Sequence, residues 1–188
     1  MIAGPSEVLV IADNQAPVEW VALDMIAQAE HDSAAQSIAI VFSENYAKDL
    51  EVTIKRLIEE MPRKKIIKES LSNKGAVICC AIRREAAEIA NRIAPEHLGL
   101  MIDNPYGLLD EIKNFGAVFV GNYSSEAMGD YVAGPSHVLP TSGSAKYSSP
   151  LGVYDFVKRS SVVELSEQGS KELGMVFLQL QDITNFML

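Results

Sequence analysis

The sequence predicts an α/β fold in which a mostly parallel sheet carries helices on both faces. Short β-type runs alternate with longer stretches of helical spacing, and most of the short runs are continuously apolar. Alternation returns each strand parallel to the last through a helix, and continuous apolarity means burial on both sides. At 188 residues with 48% hydrophobic side chains, the chain has enough for one cored domain and a short appendage.

The elements follow in order. Glu7 to Ala12 is a β-type run ending at the turn signal Asp13-Asn14. Val18, Val21, Ala22, Met25, Ile26 and Ala29 then recur at helical spacing behind Pro17, which suits a first turn. Ile38 to Phe42 is a second strand, and Ser43 caps a helix from Glu44 to Met61. Ala76 to Cys80 is a third strand, followed by a helix through Arg83 to Ala90. Leu98 to Ile102 and Ala117 to Val120 are the last two strands, separated by a short helix at Leu108 to Lys113. The pattern is Rossmann-like, and ligands in such sheets are expected outside the carboxyl ends of the strands. No dinucleotide fingerprint follows the first strand, because Ala12-Asp13-Asn14-Gln15-Ala16 has no glycine.

Three regions result. Residues 1–122 form the Rossmann-like domain. Residues 123–152, broken by glycine, proline and serine, are expected to be an active-site loop segment holding Asp130, Tyr131 and His137. Residues 153–188 form a C-terminal helical extension, with a short helix at Tyr154 to Ser160 and a longer one at Glu167 to Met187. The apolar side of that last helix (Met175, Val176, Leu178, Leu180, Ile183) needs another subunit or domain to bury against.

The net charge of -9 argues against nucleic acid and anionic membranes as partners. No apolar run reaches the ~18 residues of a spanning helix, and no secretory or transit signal is expected in Met1-Ile2-Ala3-Gly4-Pro5. The basic groups Arg63-Lys64-Lys65 and Arg83-Arg84 read as solvated helix ends. Cys79 and Cys80 lack metal-site spacing and would be strained as a disulfide. They are expected to be reduced, buried, small hydrophobes of a cytoplasmic protein.

The chain has three histidines: His31 after Gln28-Ala29-Glu30, His97 after Pro95-Glu96, and His137 in Gly134-Pro135-Ser136-His137-Val138-Leu139-Pro140. Each has an amide, carboxylate or hydroxyl close by, and histidine is the usual proton carrier and metal ligand near neutrality. The three are therefore expected in one site. Gln28 and His31 lie three apart, so on a helix they share a face and can grip one ion. Glu96 and His97 suit acid–base work, but taken alone they read as a solvated helix terminus, and Ser6 alone reads as satisfying a local turn. Pro95 disfavours helix geometry at Ala94 and so ends the preceding helix just before the pair.

Four strings in register, Ala3 to Asp13, Gln28 to His31, Ala94 to Leu98, and Gly129-Asp130-Tyr131 through His137 to Thr141, closely resemble the histidinol dehydrogenase family. Leu151-Gly152-Val153-Tyr154-Asp155-Phe156 is similar too. The resemblance implies a zinc- and NAD-dependent homodimer of the cytoplasm that oxidises L-histidinol to L-histidine through an aldehyde, the last stage of histidine biosynthesis. By the same resemblance Gln28, His31 and Asp130 would hold zinc, and Glu96 and His97 would be the acid–base pair. Ser6, Gln28, His31, His97, Asp130 and His137 would contact substrate. Family members are about twice as long. The residues that hold NAD are expected in an amino-terminal half, and a fourth zinc ligand, a histidine from the dimer partner, beyond Leu188. This chain is thus expected to be a partial enzyme, inactive alone. The alternatives are a catalytically silent domain acting through assembly, or a sister-branch dehydrogenase of another small alcohol such as sulfopropanediol. Glu126 ahead of Gly129-Asp130-Tyr131 is closer to the histidinol enzymes.

Overall fold

The computed structural model describes residues 4–184, with side chains through Leu180. Ala3, Ile183 and Met187, which entered the sequence reading, lie outside the described residues or side chains. Two compact units form, Met1–Gly152 and Val153–Leu188.

The first unit is built on a five-stranded sheet in the order β3-β2-β1-β4-β5. Its strands are β1 (Glu7–Ala12), β2 (Gln36–Val41), β3 (Gly75–Cys79), β4 (His97–Met101) and β5 (Ala117–Val120). All four pairings are parallel, as the alternation predicts. The centre is β1, where Leu9 pairs with both Ile38 and Leu98. Successive residues of a strand point to opposite faces, so each face acquires its own core. On one face Val8, Val10, Ala39 and Val41 pack against α1 (Val18–Ala29), α2 (Glu44–Ile58) and α3 (Lys64–Lys74). On the other, Leu9, Ile11, Ile40, Leu98 and Leu100 meet α4 (Arg83–Ile93) and α5 (Pro105–Leu109). No helix among the described residues is long and apolar enough to cross a membrane.

Several elements differ from their sequence expectations. The helix expected to run to Met61 stops at Ile58, and α3 follows, buried through Ile67 and Ser70. The helix expected at Leu108 to Lys113 begins earlier, because Pro105 sits where a first-turn proline costs no hydrogen bond. The loop segment contains a short helix, α6 (Glu126–Tyr131). Cys80 is buried beside Ala86, but Cys79 is exposed. Adjacent strand residues face opposite ways, and only the Cys80 side is covered.

In the second unit the helix expected at Tyr154 to Ser160 is a single 3₁₀ turn, Val153–Phe156. The long helix α7 spans Glu167–Thr184, with Leu173, Met175, Val176, Phe177, Leu178 and Leu180 exposed.

Ala94 leaves the right-handed helix before Pro95, as expected, but in left-handed geometry (φ 52, ψ 61) and not the extended form usual before proline. The chain then turns straight into β4, so Glu96 and His97 are fixed by the sheet. Gly116 closes the far side: its N–H donates to Pro95 O at 2.9 Å, and a Cβ there would stand 2.5 Å from Glu96 O. Gly116→Ala should therefore displace the Glu96 backbone and destabilise the chain by about 1–3 kcal/mol, read from the midpoint of urea unfolding.

Candidate active site

Residues at the amino ends of β1 and β4 begin the site. The register sets Val8 opposite His97, and the backbone of Glu7, one residue earlier, serves both neighbours. Its N–H donates to Glu96 Oε2 at 2.9 Å, and its carbonyl accepts from His97 Nδ1 at 3.0 Å. A carbonyl only accepts, so Nδ1 carries a proton. The other groups near Nδ1 agree: Glu96 Oε2 and Glu126 Oε1, each 3.6 Å away, are carboxyl oxygens. The neutral ring therefore keeps its lone pair on Nε2. That atom is buried without a hydrogen bond, and Asp130 Oδ1 lies 3.5 Å from it. Two acceptors facing each other leave a place for a proton or a cation.

The last turn of α1 supplies Gln28, fully buried, and His31 follows one residue beyond the helix cap. Opposite, α6 supplies Glu126 and Asp130, four residues apart and so on one face. Gly129 lets this helix lie against Phe119 of β5, where a Cβ would collide with the ring. With its amide nitrogen turned toward α6, Gln28 donates to Glu126 Oε1 at 2.7 Å and Oε2 at 3.2 Å. The remaining wall comes from the loop after α6. Glu7 Oε1 accepts from Ser142 N–H at 3.0 Å, and Gly4 N–H donates to Thr141 Oγ1 at 2.6 Å. These bonds clasp the loop bearing His137 to the start of β1.

Between these elements lies a cavity of 270 Å³ lined by Ser6, His31, Glu96, His97, Asp130, Tyr131 and His137. Six of the seven site residues expected from sequence, all three histidines among them, thus share one cavity. Gln28 lies behind that lining and meets it through Glu126. Among the described residues, His97, Glu126 and Asp130 place three donor atoms within 4.8 Å of one another.

The site is crowded with like charge. Burial pushes the Glu96 carboxyl up to about 7, with Glu7 and Asp130 adding to the rise against the opposing hydrogen bond from Glu7. Glu126 is pushed up to about 9, first by burial and then by Asp130, Asp24 and Glu96. Burial alone raises Asp24 to about 6, and burial holds His97 below its ordinary value. Among the described residues, no lysine or arginine pairs with Glu96, Glu126 or Asp130. Carboxyl oxygens, imidazole nitrogens and an excess of negative charge fit a divalent cation.

The expected location fails in one respect. A crevice does lie at the carboxyl ends of the strands, lined by Asp13, Gln15, Met101, Asn104, Gly121 and Tyr123. The acid–base groups, however, gather at the opposite, amino ends. The reason is local: Pro95 and the left-handed Ala94 deliver Glu96 and His97 as β4 begins, and α1 runs back to set Gln28 beside them.

Comparison with known proteins is decisive at this point. The family model described as histidinol dehydrogenase matches residues 1–186. The chain belongs to the histidinol dehydrogenase family. It is 55% identical over 174 residues to a histidinol dehydrogenase of Neisseria meningitidis, covering 93% of this chain and 41% of that protein. A Ralstonia nicotianae histidinol dehydrogenase is 52% identical over 180 residues, with 96% and 41% covered. The crystal structure of histidinol dehydrogenase from Elizabethkingia anophelis superposes with a TM-score of 0.90 at 34% identity, over 98% of this chain and 42% of that one. The chain therefore spans about two fifths of the length of the relatives it matches.

The sequence of this histidinol dehydrogenase family chain points to no chemical role for Glu7 or Glu126, and places Tyr131 in the active-site loop segment without a task. The i, i+4 spacing of Glu126 and Asp130 was the available signal, hidden because the segment reads as loop. Glu7 carried none, since its backbone makes the decisive contacts.

The buried carboxyls make stability depend on pH. Glu96 rises from 4.5 to about 7 on folding, so the stability present below its unfolded value is lost as pH climbs through about 7. In chelator, urea unfolding at about pH 5 and about pH 8 should differ by up to ~3 kcal/mol from this group, and Glu96→Gln should remove that share.

Proposed function

We propose that this chain carries the metal, substrate and proton-transfer part of a zinc- and NAD-dependent oxidation of L-histidinol to L-histidine by way of histidinal. The supporting observation is the single cavity that joins the buried Glu96–His97 pair to Asp130, His31, His137 and Ser6. Gln28, His31 and Asp130 would hold the zinc, whose nitrogen and oxygen preferences this donor set meets. Bound zinc and NAD supply, respectively, an anchor for the substrate's imidazole and amine and an acceptor for hydride.

The chain's own residues handle the protons. His97 Nε2 takes the alcohol proton while its Nδ1–H stays on the Glu7 carbonyl, so the ring keeps its orientation as it becomes charged. Asp130, 3.5 Å from Nε2, favours that charge. Glu96 deprotonates the water that adds to the aldehyde. Its ionisation near pH 7 suits it to take that proton and release it again. His137 closes the cavity as a second proton carrier or donor to the intermediate, and Ser6 hydrogen-bonds substrate at the rim.

The NAD-holding residues belong to the remainder of the full-length enzyme, a homodimer in this reading, with a cytoplasmic biosynthetic setting that suits two free cysteines. Calorimetric titration of the chain with L-histidinol tests the reading. Binding should require zinc, vanish with chelator, and fall at least tenfold in His31→Ala and Asp130→Ala. The chain alone should reduce no NAD. Histidinol heat that persists in chelator, or in both variants, sinks the assignment.

A further inference from the structure

Gln28, read above as a metal ligand, raises a question of orientation on which the inference below depends. A glutamine binds a cation through its carbonyl oxygen and not through its amide nitrogen, although the two ends have nearly the same shape. Some neighbour must decide which end faces the ion. Gln28 is fully buried in the last turn of α1, so the deciding group is protein.

Glu126 faces it from α6. When the amide nitrogen points at Glu126, it donates to Oε1 at 2.7 Å and Oε2 at 3.2 Å. With Glu126 ionised, the reverse orientation sets a carbonyl oxygen against two carboxyl oxygens and leaves a buried clash of acceptors; only a protonated carboxyl could donate to that oxygen. Either protonation state of the carboxyl leaves an oxygen free to accept from the amide. Glu126 Oε1 also lies 3.6 Å from His97 Nδ1, which carries that ring's proton. That distance is too long for a hydrogen bond, and the Nδ1 proton is already taken by the Glu7 carbonyl.

We propose that Glu126 is a positioning residue that fixes the polarity of Gln28, turning its carbonyl oxygen away from the Glu126 carboxyl. Gln28 of α1 is thereby aligned from α6, while the ring of His97 stays held by the Glu7 carbonyl. In this arrangement the Gln28 amide takes up a lone pair on each Glu126 oxygen, and the carboxyl serves by holding that amide. A positioning group of this kind typically contributes about 10–100-fold in metal affinity.

The test uses the 188-residue chain, its Glu126→Met and Glu126→Gln variants, and Gln28→Ala as reference. The first readout needs no metal: the side-chain amide protons of Gln28, identified by their loss in Gln28→Ala, followed by NMR. They should be shifted downfield and slow to exchange in the parent chain, lose both properties in Glu126→Met, and recover them in Glu126→Gln, whose carbonyl can accept. The second readout is cobalt(II) affinity from the visible absorption of the loaded chain. Glu126→Met should weaken it by about 10–100-fold, with Glu126→Gln recovering most of the loss. Unchanged amide protons in Glu126→Met overturn the inference. So does equal loss of cobalt in both folded variants, which would make Glu126 a direct ligand. Cobalt binding that ignores Gln28→Ala and Asp130→Ala instead overturns the metal assignment beneath it, while the amide signals still judge the hydrogen bond.

Discussion

One peptide unit organises this site. The parallel register of β1 and β4 brings the backbone of Glu7 between Glu96 and His97, where its N–H holds one side chain and its carbonyl holds the other. A backbone group cannot change rotamer or lose a proton, so the imidazole tautomer is set by the sheet itself. With Nδ1 committed to the carbonyl, Nε2 can act only toward Asp130 and the cavity. Everything else in the site is arranged around that fixed direction.

The second constraint is electrostatic. Glu96, Glu126 and Asp130 sit close together with Glu7 and Asp24 nearby, and no basic side chain among the described residues pairs with the first three. Such a cluster is held by the packing of the two cores beneath it and opposed by its own repulsion. The folded chain tolerates it by keeping protons on its most buried members, and a cation relieves the same strain without them. Burial by α1 and α6 thus does two things: it desolvates the acid–base pair and makes the carboxyl cluster costly enough to favour an ion.

Much of this was legible in the sequence. β1, β2, β4 and β5 announced themselves as apolar runs, and Pro95 marked where α4 ends. Gln28, His31, Glu96, His97, Asp130 and His137 stood out as polar groups with proline, glycine or helical spacing around them. What stayed hidden has physical causes. α3 is written in lysines and polar residues, with only Ile67 and Ser70 buried, so its helical face is too narrow to read. α6 is stabilised by its seat on Phe119, which no local pattern predicts. The amino-end location followed from how Ala94 and Pro95 turn the chain, against the usual preference of parallel sheets.

The central pairing also bears on how the protein becomes itself. Glu7 lies 89 and 90 positions from the two side chains it holds, and Gly4 lies 137 from Thr141. β1 and β2 are joined by a single helix and can meet early, whereas β4 must close a much longer loop. An intermediate holding only β1, β2 and β3 therefore has no tautomer lock, no acid–base pair and no cage of carboxyls. The charged centre thus depends entirely on long-range contacts, which no local segment of the chain can make by itself.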